Sequence, residues 1–292
     1  MNPGLAAAIA AHLIWGFAPL YWVQTAQVPA LDIVAHRVLW SLLLLVILLA
    51  ALGRLRGTLA QFLTPRTLGV IAVSATAQAC NWGVFVWAVT HDRAAEASLG
   101  YFLLPLVNVA IGVVVLREVI DRAQAIAIAL AAMGLSILVW DMGGLPLVAL
   151  SVSVSFGLYT LVRKLVQIGA IEGLAMEVAF LAPVALAWLW WSGGASFGAF
   201  GSRVDLFLAG AGFITTVPLI LYVAASHRLA LTAMGLTFYI GPTCQLLVAV
   251  FLFGEPLNPV QLGSFVLVWL GLGVIIADTL RRYRNVRGLQ RD

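Results

Sequence analysis

Charged side chains are scarce in this chain. Asp, Glu, Lys and Arg together make up 10% of its 292 residues, against 63% that are hydrophobic. A soluble domain carries about a quarter charged residues and roughly half apolar ones. A compact water-soluble fold of this length has no geometry that buries so much apolar surface, which excludes that class and turns the surface toward lipid. Cysteine is scarcer still. Cys80 and Cys244 both sit inside apolar runs, which argues against a disulfide framework or a paired-cysteine metal site and reads as packing. The chain also lacks a metal-ligand cluster, a glycine-rich phosphate loop and a nucleophile elbow. Glu118, Asp121, Glu255 and Asp278 fall at span ends on opposite sides of the membrane and form no carboxylate pair. An enzyme active site is therefore not visible, and no cofactor is expected.

What the chain does have is a succession of apolar runs. A bilayer core needs about 20 mostly apolar residues per helix, which predicts ten spans at 3–23, 31–52, 67–89, 95–116, 122–140, 145–162, 172–191, 205–226, 229–253 and 259–279. The first run has no basic residues before it and no small-residue cleavage pattern, so it is expected to be retained as a span. The net charge of +4 comes from basic residues in short loops and the tail, a topological signal rather than a nucleic-acid surface. Placing both termini in the cytoplasm puts Arg54, Arg56, Arg66, Arg117, Arg122, Arg163, Lys164, Arg228, Arg281, Arg282, Arg284, Arg287 and Arg291 inside, thirteen of the sixteen Lys and Arg. Arg93 and Arg203 fall outside, and Arg37 falls within the second span.

An internal repeat underlies the ten spans. Residues 101–141 align without a gap on 238–278, matching Pro105 with Pro242, Glu118 with Glu255, Gln124 with Gln261, Gly134 with Gly271 and Asp141 with Asp278. Such matches do not come from aliphatic composition alone. They predict a first five-helix repeat at 1–141, a second at 142–280 and a basic tail at 281–292. Five is odd, so the second copy is inverted in the membrane. Inverted repeats recur in secondary transporters, where the halves exchange conformations around a central site; a duplication that only stabilises a bundle is the simpler alternative.

Tyr101, Pro105 and Asn108 in span four, and Phe238, Pro242 and Gln245 in span nine, recur at spacings of four and seven and share one helical face in each half. Proline frees a carbonyl one turn earlier, which a membrane helix tolerates where protein or a watery cavity satisfies it. Pro105 and Pro242 are thus candidate hinges on a cavity wall, or kinks packed against neighbours with the amides as glue. Gln78, Asn81, Trp82 and Phe85 share a face of span three. Trp15 lies too deep for an interfacial belt and is a wall residue or packing bulk, as is Trp82. Trp22, Trp40, Trp188, Trp190 and Trp191 read as belt residues. Tyr159, Tyr222 and Tyr239 supply phenols that want hydrogen-bond partners. Asp32, His36 and Arg37 near one end of span two, and Glu177 in span seven, are candidate proton or charge sites. Their proximity to span ends favours snorkelling or a structural ion pair. His12 reads as a helix-packing histidine.

The segments LIWGFAPLYW (13–22), AHRVLWS (35–41), CNWGVFVWAV (80–89), EASLGYFLLPLVN (96–108) with LRE (116–118), SFGLYTLVRK (155–164), TTVPLILY (215–222) and TFYIGPTCQ (237–245) with FGE (253–255) resemble the RarD branch of the EamA-type drug/metabolite transporters. The resemblance covers nearly the whole chain. It implies an all-α integral membrane fold of ten helices in two inverted repeats, in a bacterial inner membrane, with spans one, three, four, six, eight and nine around a central cavity. Relatives of the YddG type export amino acids. The expected function is export of small neutral or zwitterionic metabolites, with multidrug export as the alternative and an embedded enzyme or scaffold behind it. The expected partners are a small-molecule cargo and the lipid bilayer, with no nucleic acid, in a monomer or homodimer. Trp15, Trp82, Tyr101, Phe238 and Tyr239 would contact apolar parts of the cargo, and Asn81, Asn108 and Gln245 its polar groups. A strongly anionic cargo is expected to need Lys or Arg at mid-cavity, where the sequence places none.

Overall fold

In hydrocarbon every backbone N–H and C=O must find a partner within its own segment, so the apolar runs fold as helices. A computed structural model describes residues 2–91, 93–141, 147–166, 168–193, 196–254, 256 and 259–289. Glu255, the expected repeat boundary after Asp141 and the last three residues of the tail lie outside the described residues. The helices are α1 (Pro3–Trp22), α2 (Ala30–Ala51), α3 (Leu55–Phe62), α4 (Pro65–Thr90), α5 (Ala94–Val114), α6 (Arg122–Asp141), α7 (Leu147–Leu165), α8 (Ala170–Trp191), α9 (Ser202–Ser226), α10 (Leu231–Phe238), α11 (Ile240–Phe251) and α12 (Pro259–Leu289). Among the described residues, ten segments are long and apolar enough to cross a membrane, with α10 and α11 forming one of them. An even number of crossings returns the last span to the face where the first begins, the termini face.

Local chemistry sets the helix ends. The Asn2 side chain accepts from Gly4 N at 2.8 Å and opens α1. Asp121 and Gln124 exchange side-chain and backbone bonds at 2.9 and 3.0 Å, a reciprocal cap that starts α6. Span nine breaks at Tyr239 because Pro242 has no N–H to offer the Phe238 carbonyl and its ring crowds that oxygen. Its repeat partner Pro105 is accommodated inside an unbroken α5. The sequence reading missed α3, a short helix between spans two and three that leaves Leu59 exposed. Its eight residues are too few for a bilayer crossing.

The inverted repeat is visible in paired contacts. Helices α2 and α8 run antiparallel, and each places an acid from its first turn beside the far end of the other. Asp32 of α2 accepts from Trp188 Nε1 of α8 at 2.8 Å. Glu172 of α8 pairs with Arg54, just past α2, at 3.2 Å. Helices α6 and α12 meet through small residues, as membrane helices do where backbones approach closely. A Cβ on Gly134 would lie 2.8 Å from the Ser264 carbonyl oxygen, and one on Gly271 would lie 3.1 Å from the Ala127 backbone. These are the same contact made twice, since Gly134 matches Gly271 and Ala127 matches Ser264 in the repeat.

Trp190 and Trp191 are exposed, in keeping with a belt role. The other three expected belt residues turn inward. Trp188 is anchored to Asp32, Trp40 packs beside Phe197 with ring centroids 5.8 Å apart, and Trp22 faces the bundle interior. Proximity to a helix end places a side chain in depth but says nothing about which side of the helix it occupies.

Candidate functional site

A cavity of about 680 Å³ lies within the bundle. Its mouth is on the face opposite the termini, between Trp22 at the end of α1, Ser98 near the start of α5, Asp141 at the end of α6 and Gln261 near the start of α12. From there it runs into the bundle past Arg37, Gln78, Trp82, Tyr101 and Gln245. Spans two, five and ten join the six that the resemblance implied, through Arg37, Leu138 and Phe265 among others.

Packed rings form the floor. Trp15 lies 5.5 Å from Tyr222 and 6.2 Å from both Phe156 and Phe238, centroid to centroid. His12 is buried among them, 4.7 Å from Phe238 and 5.8 Å from Tyr222. Neither ring nitrogen of His12 has a hydrogen-bond partner among the described residues. Below the rings Tyr222 Oη meets Thr160 Oγ1 at 3.0 Å and accepts from Asn108 Nδ2 at 3.5 Å. On the termini face Glu118 closes α5 against α10. Its carboxylate accepts from Leu231 N at 2.7 Å and from Thr232 N and Oγ1, each at 2.9 Å. Those amides belong to the first turn of α10, where the helix dipole also favours an anion. Gly235 lets the two helices touch, for a Cβ there would stand 2.6 Å from the Pro105 carbonyl oxygen. The bundle is thus open at one end and sealed at the other.

The candidate residues divide between wall and interior. Trp15, Gln78, Asn81, Trp82, Tyr101, Phe238, Pro242 and Gln245 line the cavity, and so does Arg37. Asn108, Pro105, Tyr159, Tyr222 and Tyr239 are buried outside its lining. Asn81 faces the cavity with its amide already engaged: Nδ2 donates to the Val152 carbonyl at 2.8 Å and Oδ1 accepts from Tyr101 Oη at 3.2 Å. Gln78 Oε1 has no partner among the described residues, and Gln245 Nε2 donates to the Trp15 carbonyl at 3.2 Å. Helical spacing could have found two further lining residues, His12 and Trp22. They continue the face of Trp15 and Pro19 at intervals of three, four and three residues.

The four charge-site candidates are placed by packing rather than by headgroups. Asp32, His36 and Glu177 are buried. Asp32 accepts from Trp188 and from Ser196 Oγ. Glu177 accepts from Ser74 Oγ at 2.7 Å and pairs with the buried Arg163 at 3.5 Å. Arg37, expected near the end of span two and not at mid-cavity, is a cation in the cavity lining. Its guanidinium carbon lies 4.7 Å from the Trp82 ring centre and 5.3 Å from that of Trp22, and Nε donates to Thr215 Oγ1 at 3.0 Å. Distance from the span end had suggested a headgroup-level residue. The guanidinium instead extends into the bundle, where two indole faces hold it.

Comparison with known proteins agrees with this architecture. The chain matches the EamA-like transporter family twice, over residues 2–140 and 145–277. It is 37% identical to the protein RarD of Escherichia coli (strain K12) over 285 residues, covering 97% of this chain and 96% of the relative. It is 37% identical to the uncharacterized transporter YojE of Bacillus subtilis (strain 168), over 89% of each chain. It is 32% identical to the chloramphenicol-sensitive protein RarD of Pseudomonas aeruginosa, over 97% of this chain and 96% of the relative. One solved crystal structure superposes with a TM-score of 0.72 at 18% identity, covering 93% of this chain and 96% of its own, a likeness of fold alone. The chain is a multi-pass membrane protein and belongs to the EamA-like transporter family, in its RarD branch.

Proposed function

We propose that this chain exports small zwitterionic or neutral metabolites, amino acids foremost, from a bacterial cytoplasm by alternating access between its inverted repeats. The observation that carries the reading is a cavity of about 680 Å³ with its mouth at one end and its other end shut by packed rings and the Glu118 cap. Such a volume suits a small organic molecule. The basic loops and tail support a cytoplasmic termini face, so the cavity faces outward and the seal is the inner gate. The wall mixes Trp15, Trp22, Trp82 and Phe238 with the amides of Gln78 and Gln245. Indole and phenyl faces take the apolar part of a cargo, and neutral amides bind polar groups weakly enough to let them go.

The abundance of rings also favours a second reading, export of lipophilic compounds, in which the amides are incidental. Purified protein in liposomes separates the two. Uptake of labelled amino acids that saturates, and that rises when unlabelled amino acid is trapped inside, supports the first. Flux of lipophilic compounds without amino-acid flux supports the second, and absence of any flux by folded, inserted protein would remove both.

A further inference from the structure

Arg37 and Glu177 occupy corresponding places in the two repeats. Each lies seven residues after the first residue of its helix, Ala30 for α2 and Ala170 for α8. Each contacts a hydroxyl on the third span of the opposite repeat. Ser74 of α4 donates to Glu177 at 2.7 Å, and Arg37 donates to Thr215 of α9 at 3.0 Å. What differs is the countercharge. Glu177 has Arg163, seven residues after the Phe156–Gly157 pair on α7. Seven residues after the matching Trp15–Gly16 pair on α1 stands Trp22, which meets Arg37 with a ring face. The second repeat neutralises its buried charge internally, and the first leaves its charge facing the cavity.

Arg37 is partly exposed, toward the cavity it lines, and a charge within an apolar span marks a place where a counter-ion is favoured. Among the described residues, no carboxylate lies within ion-pair distance of Arg37, and its one hydrogen bond is made by Nε. The two Nη groups, the edge that binds a carboxylate in bidentate fashion, have no acceptor there. Asp141, the other charged residue of the lining, sits at the mouth and is exposed. The ring faces of Trp22 and Trp82 hold the guanidinium carbon at 5.3 and 4.7 Å and supply no hydrogen-bond acceptor to this edge.

We infer that Arg37 is the anion-recognition group of this transporter and that its cargo carries a carboxylate, which supplies the countercharge that Arg163 supplies to Glu177. The inference rests on the transport reading above and narrows it. Amino acids and monocarboxylates fit, whereas amines and cationic drugs meet an unpaired like charge. One cation among aromatic walls suits a carboxylate better than a phosphate dianion, which calls for several donors.

The test uses the full chain in liposomes and matched acid and amide pairs: L-phenylalanine with L-phenylalaninamide, L-leucine with L-leucinamide, and 3-phenylpropionate with 3-phenylpropanamide. Binding is read by thermal shift and transport by counterflow. Each acid is expected to bind roughly tenfold or more tightly than its amide. Arg37→Gln should abolish that difference, by weakening the acids and by relieving the like-charge penalty on the two cationic amino amides, and Arg37→Lys should keep part of it. The wild-type comparison stands even if a variant does not fold. Equal binding of acid and amide by the wild type, or an acid preference that survives in Arg37→Gln, overturns the inference. If acids and amides are nevertheless both carried, the transport reading stands without it. Failure of every acid to bind folded protein overturns both.

Discussion

Replacing Glu118 by alanine should unlatch the sealed end of the bundle. Its carboxylate accepts three hydrogen bonds from the first turn of α10, at 2.7, 2.9 and 2.9 Å, and so joins the end of span four to the start of span nine. A side-chain cap at a helix start contributes about 0.5–2 kcal/mol, and hydrogen bonds to a charged acceptor contribute about 1.5–3 kcal/mol each when buried. Glu118 is only partly buried, so the full sum does not apply, and about 2–3 kcal/mol is a reasonable total. In a two-state gate that corresponds to a shift of about 30- to 150-fold toward the form with this end open. Met234, fully buried on α10 behind the latch, provides a reporter. In a chain carrying Cys80→Ser and Cys244→Ala, Met234→Cys should react slowly with a membrane-impermeant maleimide applied from the termini face. Adding Glu118→Ala should raise that rate about 30-fold or more, and Glu118→Gln, which keeps an acceptor but loses the charge, should fall between. An unchanged rate in folded protein would refute the reasoning and reduce Glu118 to a local helix cap.

Asn81→Ala should lower thermal stability and reduce flux of all cargoes alike, because its amide ties α4 to the Val152 carbonyl of α7; a selective rise in KM for amino acids alone would contradict this. Gln78→Ala and Gln245→Ala, whose side chains face the cavity, should instead raise KM with little change in melting temperature. Breaking the buried Arg163–Glu177 pair with Arg163→Met should destabilise the protein by about 3–5 kcal/mol, and Arg163→Met with Glu177→Leu should recover part of the loss. The comparison is made by thermal melting in detergent, and a double variant no more stable than the single one would argue against an uncompensated carboxylate. Gly134→Ala should cost about 1–3 kcal/mol by driving a Cβ into the Ser264 carbonyl at 2.8 Å. A melting temperature equal to wild type would show that α6 and α12 can part without loss.

Much of the architecture was legible before any coordinates. Apolar run length sets the span count, since the bilayer fixes how many residues a crossing needs. Proline, glutamate, glutamine, glycine and aspartate recurring at a fixed offset reveal the repeat, and an odd number of spans per copy makes it inverted. The cavity face of span three and part of that of span nine follow from helical spacing alone, because residues three and four apart share a side. The break at Tyr239 lies within one turn of Pro242, where backbone chemistry locates it.

What the one-dimensional pattern could not convey is which neighbour each helix face meets. Asn81 and Asn108 look alike as amides in apolar helices, yet only Asn81 reaches the cavity, and its amide is already engaged by Val152 and Tyr101. Trp22 and Trp190 both sit at helix ends, and one lines the cavity while the other faces out. Arg37 and Glu177 are each a charge inside an apolar span, and sequence assigns them the same choice of snorkelling or pairing. Only packing decides between them. Arg163 turns inward from α7 and completes an ion pair with Glu177, while Trp22, at the matching place on α1, leaves Arg37 with aromatic faces and an open edge. Covalent order and hydrophobicity determine that this chain crosses the membrane ten times as an inverted repeat. The approach of side chains from distant helices, which no local spacing encodes, determines where its buried charges are satisfied and where one is left facing the cavity.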